Sequence, residues 1–141
     1  LIFDLDRFLS LEEKETLITL SRTLNVAGVK HYRERYPPNT KIFGEIVTKI
    51  EGYVKRIQSR GGRVMFVNFP ISGELEKLAE ETFPKEKYWD FFAKTTTAKT
   101  VHYKDHPELQ FECLDYSHID AKDAPAFTSA LVKIIGGELV R

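Results

Sequence analysis

Apolar positions recur along this chain with two different periods. Ile46, Val47, Ile50, Tyr53, Val54 and Ile57 follow the i, i+3, i+4, i+7 spacing of one helical face, which predicts an amphipathic helix over 44–60 stopped by Gly61-Gly62. Directly after it, Arg63-Val64-Met65-Phe66-Val67-Asn68-Phe69 is an almost unbroken apolar run ending at Pro70. Such a run reads as a strand buried on both faces, hence a parallel sheet covered by helices. Ser72 can cap a helix through Glu81, and a further helical piece falls near Lys85 to Lys94. A second, shorter strand covers Lys99 to Tyr103, left through Asp105-His106-Pro107. A last helix spans Asp123 to Ile135, with Ala126, Phe127, Ala130, Leu131, Ile134 and Ile135 on one face, Asp120 as its natural N-cap and Gly136-Gly137 closing it.

The first forty residues read differently. Ser10-Leu11-Glu12-Glu13 is a capping box, in which hydroxyl and carboxylate each satisfy a free amide at a helix start. The helix it opens carries Leu11, Leu17, Ile18, Leu20 and Leu24 on one stripe and is expected to end between Asn25 and Gly28. His31 to Asn39, aromatic, charged and closed by Pro37-Pro38, reads as a surface loop. Leu1 to Leu5 predicts one more strand.

Composition narrows the class. The 141 residues are 42% hydrophobic and 30% charged, an ordinary globular mixture rather than a disordered one. No apolar run approaches the ~18 residues that a bilayer span needs. Lys+Arg and Asp+Glu balance at 21 each, so no basic field points to nucleic acid or an anionic membrane. The mixed basic and aromatic stretch Lys30 to Tyr36 reads as a solvated face for the same reason. A single cysteine, Cys113, excludes an internal disulfide. Helix, strand, helix, strand, helix is an α/β order, yet two or three strands are few for a doubly wound sheet of ~4–6. Together with a start at Leu1 rather than Met, this suggests the C-terminal part of a larger domain. We expect residues 1–43 to be a helical, insertion-like segment and 44–141 to be that C-terminal part. An open strand edge would then be covered by self-association or by a missing N-terminal half.

The candidate chemistry lies in Leu114-Asp115-Tyr116-Ser117-His118-Ile119-Asp120, after the last strand, where open α/β sheets place their sites. An Asp three residues before a His can fold back in one turn and accept the Nδ1 proton, leaving Nε2 as a general base. The same spacing serves equally to cap a loop and a helix. Ser117 is adjacent to His118, but neighbouring side chains on an extended turn tend to diverge, so it is not taken as a nucleophile. His102, His106, Cys113, Asp115 and His118 form a loose grouping of ligand types, but strand geometry at Val101-His102-Tyr103 and the break at Pro107 do not suit a metal site, and none is expected. No cofactor is expected either. Trp89, Phe91 and Phe92 read as a core anchor.

The segment resembles the C-terminal block of the SGNH (GDSL-type) hydrolases and their acyltransferase relatives. Asp115-Tyr116-Ser117-His118 followed by Ile119-Asp120, then Ala124, Phe127 and Leu131 in a helix, is similar to that family's D-x-x-H pair and its following helix. Val64 to Ser72, Phe83 to Asp90 and Tyr103 to Leu109 extend the similarity over residues 44–136. The resemblance implies a three-layer, flavodoxin-like α/β/α fold with His118 as catalytic base and Asp115 as its orienting carboxylate. It further implies a serine esterase or O-acyltransferase acting on a small-molecule or carbohydrate ester through an acyl-enzyme. The family's G-D-S nucleophile block and G-x-N oxyanion block have no counterpart in these 141 residues. By that reading this chain alone is inactive. The alternative reading is a non-catalytic α/β binding or interaction module.

Overall fold

A computed structural model describes residues 9–139; the strand expected over Leu1 to Leu5 lies outside them. The elements are α1 (Leu11–Arg35), α2 (Thr40–Gln58), β1 (Met65–Asn68), α3 (Gly73–Thr82), α4 (Trp89–Thr95), β2 (Lys99–His102) and α5 (Ala124–Leu139). Two tight 3-10 turns, Tyr103–Asp105 and Pro107–Leu109, follow β2. The chain is therefore of mixed α/β class, with two parallel strands among the described residues.

The N-terminal helix starts as its capping box dictates. Ser10 Oγ accepts from the Glu13 amide at 3.3 Å, and the Ser10 amide donates to Glu13 Oε2 at 2.9 Å. It does not stop near Gly28, and His31 to Arg35 form its last turns rather than a loop. Val26 and Val29 pack onto Leu75 and Leu78 of α3. That contact offsets the roughly 1 kcal/mol that a mid-helix glycine costs. The expected leucine stripe is not the packed side: Leu11 is 72% exposed and Leu24 62%. The helix buries the neighbouring face because α3 and the 113–119 loop lie there.

Asn39 opens α2 by accepting from the Lys41 and Ile42 amides, so this helix begins before residue 44 and the expected boundary at 43 falls inside it. Val47 and Val54 are buried as the periodicity requires, whereas Ile46, Tyr53 and Ile57 flank them half exposed. Glu51 is buried among them because it closes a hydrogen-bond set, accepting from Thr96 Oγ1, Thr97 Oγ1 and the Thr97 amide. After α2 the chain reverses at Gly61, whose φ of +79° suits a residue without Cβ.

The strands pair in register from Met65↔Lys99 to Asn68↔His102. Every β1 residue is half-buried rather than fully buried, and among the described residues each strand pairs along one edge only. Helices nevertheless lie over both faces. Met65, Val67 and Val101 pack with Phe127, Leu131 and Ile134 of α5, while Phe66 meets Phe92 of α4 edge to face at 4.9 Å. Of the expected aromatic anchor, Phe92 is buried and Trp89 half-buried, but Phe91 is 45% exposed. Helix α4 starts at Trp89, later than Lys85, because Pro84 to Tyr88 form a turn. At the other end, α5 runs through Gly136-Gly137 instead of closing on them, and neither glycine turns left-handed. Ala126, expected on the apolar face, is exposed.

Candidate functional site

The segment after the second 3-10 turn is folded into a closed loop. Cys113 and Ile119 form an isolated antiparallel bridge, and the Leu114 amide donates to the His118 carbonyl at 2.9 Å. Reversing the chain between these two points needs a left-handed residue, and Tyr116 takes it at φ 74°. The loop is sewn to the segment leaving the carboxyl end of β1. The Ser72 amide donates to the Tyr116 carbonyl at 3.0 Å, and Ser72 Oγ accepts from the Cys113 amide at 3.0 Å and donates to its carbonyl at 3.2 Å. Ser72 stands at the head of α3 as expected, but its hydroxyl is spent on Cys113 rather than on a helix amide.

Within that loop Asp115 and His118 meet. Asp115 Oδ2 accepts from His118 Nδ1 at 2.7 Å, while Oδ1 accepts from the Ser117 amide at 3.0 Å and the His118 amide at 2.8 Å. The side chain of Asp115 is 7% exposed and that of His118 29%, so the carboxylate is enclosed and the ring is reachable. Burial alone would push the Asp115 carboxyl up. Hydrogen bonds from the His118 ring and the two amides outweigh it and hold the group below its ordinary value. An ionised carboxylate on Nδ1 fixes the proton there and puts the ring's lone pair on Nε2.

Three side chains that spacing did not select complete the arrangement. Ser117 Oγ does not diverge: it donates to Asp115 Oδ1 at 3.1 Å and lies 3.0 Å from His118 Nδ1. This brings it to the carboxylate side of the ring, away from Nε2, so it steadies the pair and is not placed as a nucleophile. Asn25 Nδ2 donates to Ser117 Oγ at 3.1 Å and to the Asp115 carbonyl at 3.0 Å. Arg22 Nε donates to the Leu114 carbonyl at 2.8 Å, and its guanidinium covers the Tyr116 ring. Both come from α1, about ninety residues away in sequence, and no local spacing could have pointed to them.

The remaining candidates play other parts. Asp120 does not cap α5 directly; its carbonyl accepts from the Asp123 and Ala124 amides, one turn ahead of the helix. Cys113 is wholly buried with its thiol donating to the Pro70 carbonyl, and burial followed by the Asp115 charge raises it to about 11. His102 accepts the Lys104 amide on Nδ1 and faces Trp89. Among the described residues, no three His, Cys, Asp or Glu side chains gather as a metal would require, and no helix is long and apolar enough to cross a membrane. No protein-family model matches the chain, and no curated protein or solved structure matches it.

Proposed function

We propose that His118 is the catalytic base, and Asp115 its orienting carboxylate, of a serine-dependent ester hydrolase or O-acyltransferase of the SGNH type. Its nucleophilic serine and oxyanion donors are supplied by residues outside this sequence. In this reading the two parallel strands belong to a flavodoxin-like three-layer sheet. The observation that carries it is the 2.7 Å contact between Asp115 Oδ2 and His118 Nδ1, made by a carboxylate already immobilised by two backbone amides.

The chemistry follows from that geometry. His118 Nε2 takes the proton of a serine hydroxyl as its oxygen bonds to the ester carbonyl carbon. Asp115 stabilises the resulting imidazolium without itself taking the proton. As the tetrahedral intermediate collapses, the bond to the alkoxide breaks and His118 returns the proton to the leaving alcohol. Water, or a second alcohol, repeats the cycle on the acyl-serine.

The test is turnover of p-nitrophenyl acetate by the protein at its full coding length. His118→Ala is expected to lower kcat by about a thousandfold or more. Undiminished turnover in that variant overturns the assignment, and an inert parent protein favours a non-catalytic α/β binding module.

A further inference from the structure

A cavity of about 430 Å3 opens between α2, α3, α4 and the sheet, a volume that takes a small organic ligand. Its walls are apolar and largely aromatic: Phe43 and Val47 from α2, Phe66 from β1, Trp89 and Phe92 from α4. Asp115, Ser117 and His118 do not line it. Among the polar side chains that join these walls are Asn68 and His102. They are the last residues of β1 and β2 and direct register partners, so they stand side by side at the carboxyl ends of two parallel strands. That edge is where open α/β sheets receive ligands.

The hydrogen bonding of this pair is incomplete. His102 is 6% exposed, and its Nδ1 accepts the Lys104 amide at 3.1 Å, so the neutral ring carries its proton on Nε2. Burial, reinforced by Lys85, holds that ring neutral, with its pKa lowered to about 4. Among the described residues neither Nε2–H nor the Asn68 carboxamide has a protein partner, while every fully enclosed polar side-chain atom has one. These two groups therefore open onto the cavity that both residues line. The cations at its edge are already compensated. Lys85 pairs with Asp90 at 2.7 Å and Asp105 at 3.0 Å, and Lys104 pairs with Glu80 at 2.8 Å and Glu76 at 3.4 Å. An anionic ligand would find no spare positive charge there, and a neutral one loses nothing.

We propose that this cavity binds a neutral aromatic small molecule bearing a carboxamide or carbonyl group. Its oxygen accepts from His102 Nε2 and Asn68 Nδ2, and its ring lies among Phe66, Trp89 and Phe92. This proposal concerns binding and stands apart from the acyl-transfer reading, since neither depends on the other's residues.

Trp89 is the sole tryptophan of the chain, so its indole N–H resonance reports directly on the cavity. Acetanilide is the probe, titrated into the isotope-labelled protein and followed by 1H–15N correlation spectra. We expect a saturable shift of the Trp89 indole peak. Asn68→Leu, which removes one partner, and Ala79→Phe, which fills the space from α3, should each weaken binding about tenfold in spectra that keep native dispersion. Absence of a saturable shift up to the solubility limit of acetanilide overturns the proposal. Equal affinity in the parent protein and both variants overturns it as well.

Discussion

The ring of Tyr116 occupies the place where a side chain on Gly73 would be. A Cβ built on Gly73 falls 2.3 Å from Tyr116 Cε1, and both residues are left-handed, at φ +62° and 74°. The first residue of α3 and the apex of the 113–119 loop thus fit each other only because one of them has no side chain. The loop that holds Asp115 and His118 is seated on that contact.

Gly73→Ala should therefore be costly. It combines a left-handed alanine with an overlap against an aromatic ring that Arg22 covers on one face. We expect a loss of about 2–4 kcal/mol in urea denaturation. In the proposed reaction it should also lower kcat, because the loop must shift to admit the methyl group. A change below 0.5 kcal/mol, roughly that of an ordinary surface substitution, would contradict this fit.

Asp115→Asn keeps the shape but halves the acceptors. An amide offers one oxygen where the carboxylate uses both, so either the backbone amides or the His118 ring loses its partner. Turnover in the proposed reaction should fall about 10³–10⁴-fold. The stability difference should depend on pH in one direction. The Asp115 carboxyl is held below its ordinary 3.8, so its contribution is complete above that value and disappears as pH falls through the folded one. Urea midpoints of the two proteins should separate at pH 6 and converge as the pH is lowered below 3.8.

Asn25→Leu tests whether α1 matters to the loop. It leaves the Asp115 carbonyl and Ser117 Oγ without their donor in a half-buried position. A loss of about 1–3 kcal/mol is expected. The drop in kcat should be smaller than for Asp115→Asn, because the two amides still hold the carboxylate. A larger kinetic effect than Asp115→Asn would overturn this ranking.

His102 predicts a separate acid sensitivity. Its pKa falls from 6.5 to about 4, first through burial and then through Lys85, with Lys104 acting the same way and Asp105 and Asp90 opposing. A folded state that resists protonation is fully stabilised above pH 6.5 and loses that contribution as pH drops towards 4. The shift corresponds to about 3 kcal/mol. Denaturation profiles of the parent protein and His102→Phe over this range should differ in slope, the variant being flatter. Parallel profiles would refute the buried neutral state.

Much of this chain is legible locally. The capping box at Ser10, the apolar face around Val47 and Val54, and the two short strand segments need only neighbours within a turn or a strand. The approach of Asp115 to His118 is equally local, since a carboxylate three residues back lies within one turn of the ring. Helix ends are less legible where glycine stands. Gly61 does end α2 with a left-handed φ, but Gly28, Gly136 and Gly137 lie inside helices, because a penalty of about 1 kcal/mol is small beside tertiary packing. The leucines of α1 show the converse, since periodicity cannot say which of two apolar faces finds a neighbour.

By itself the sequence determined the α/β alternation and the one-turn pairing of Asp115 with His118, because both rest on interactions between residues close along the chain. Tertiary structure alone decided that Arg22 and Asn25 of α1 brace that loop, that Gly73 yields its place to Tyr116, and that Asn68 and His102 share one cavity. Those contacts join residues tens of positions apart, where no periodicity or spacing records which surfaces will meet.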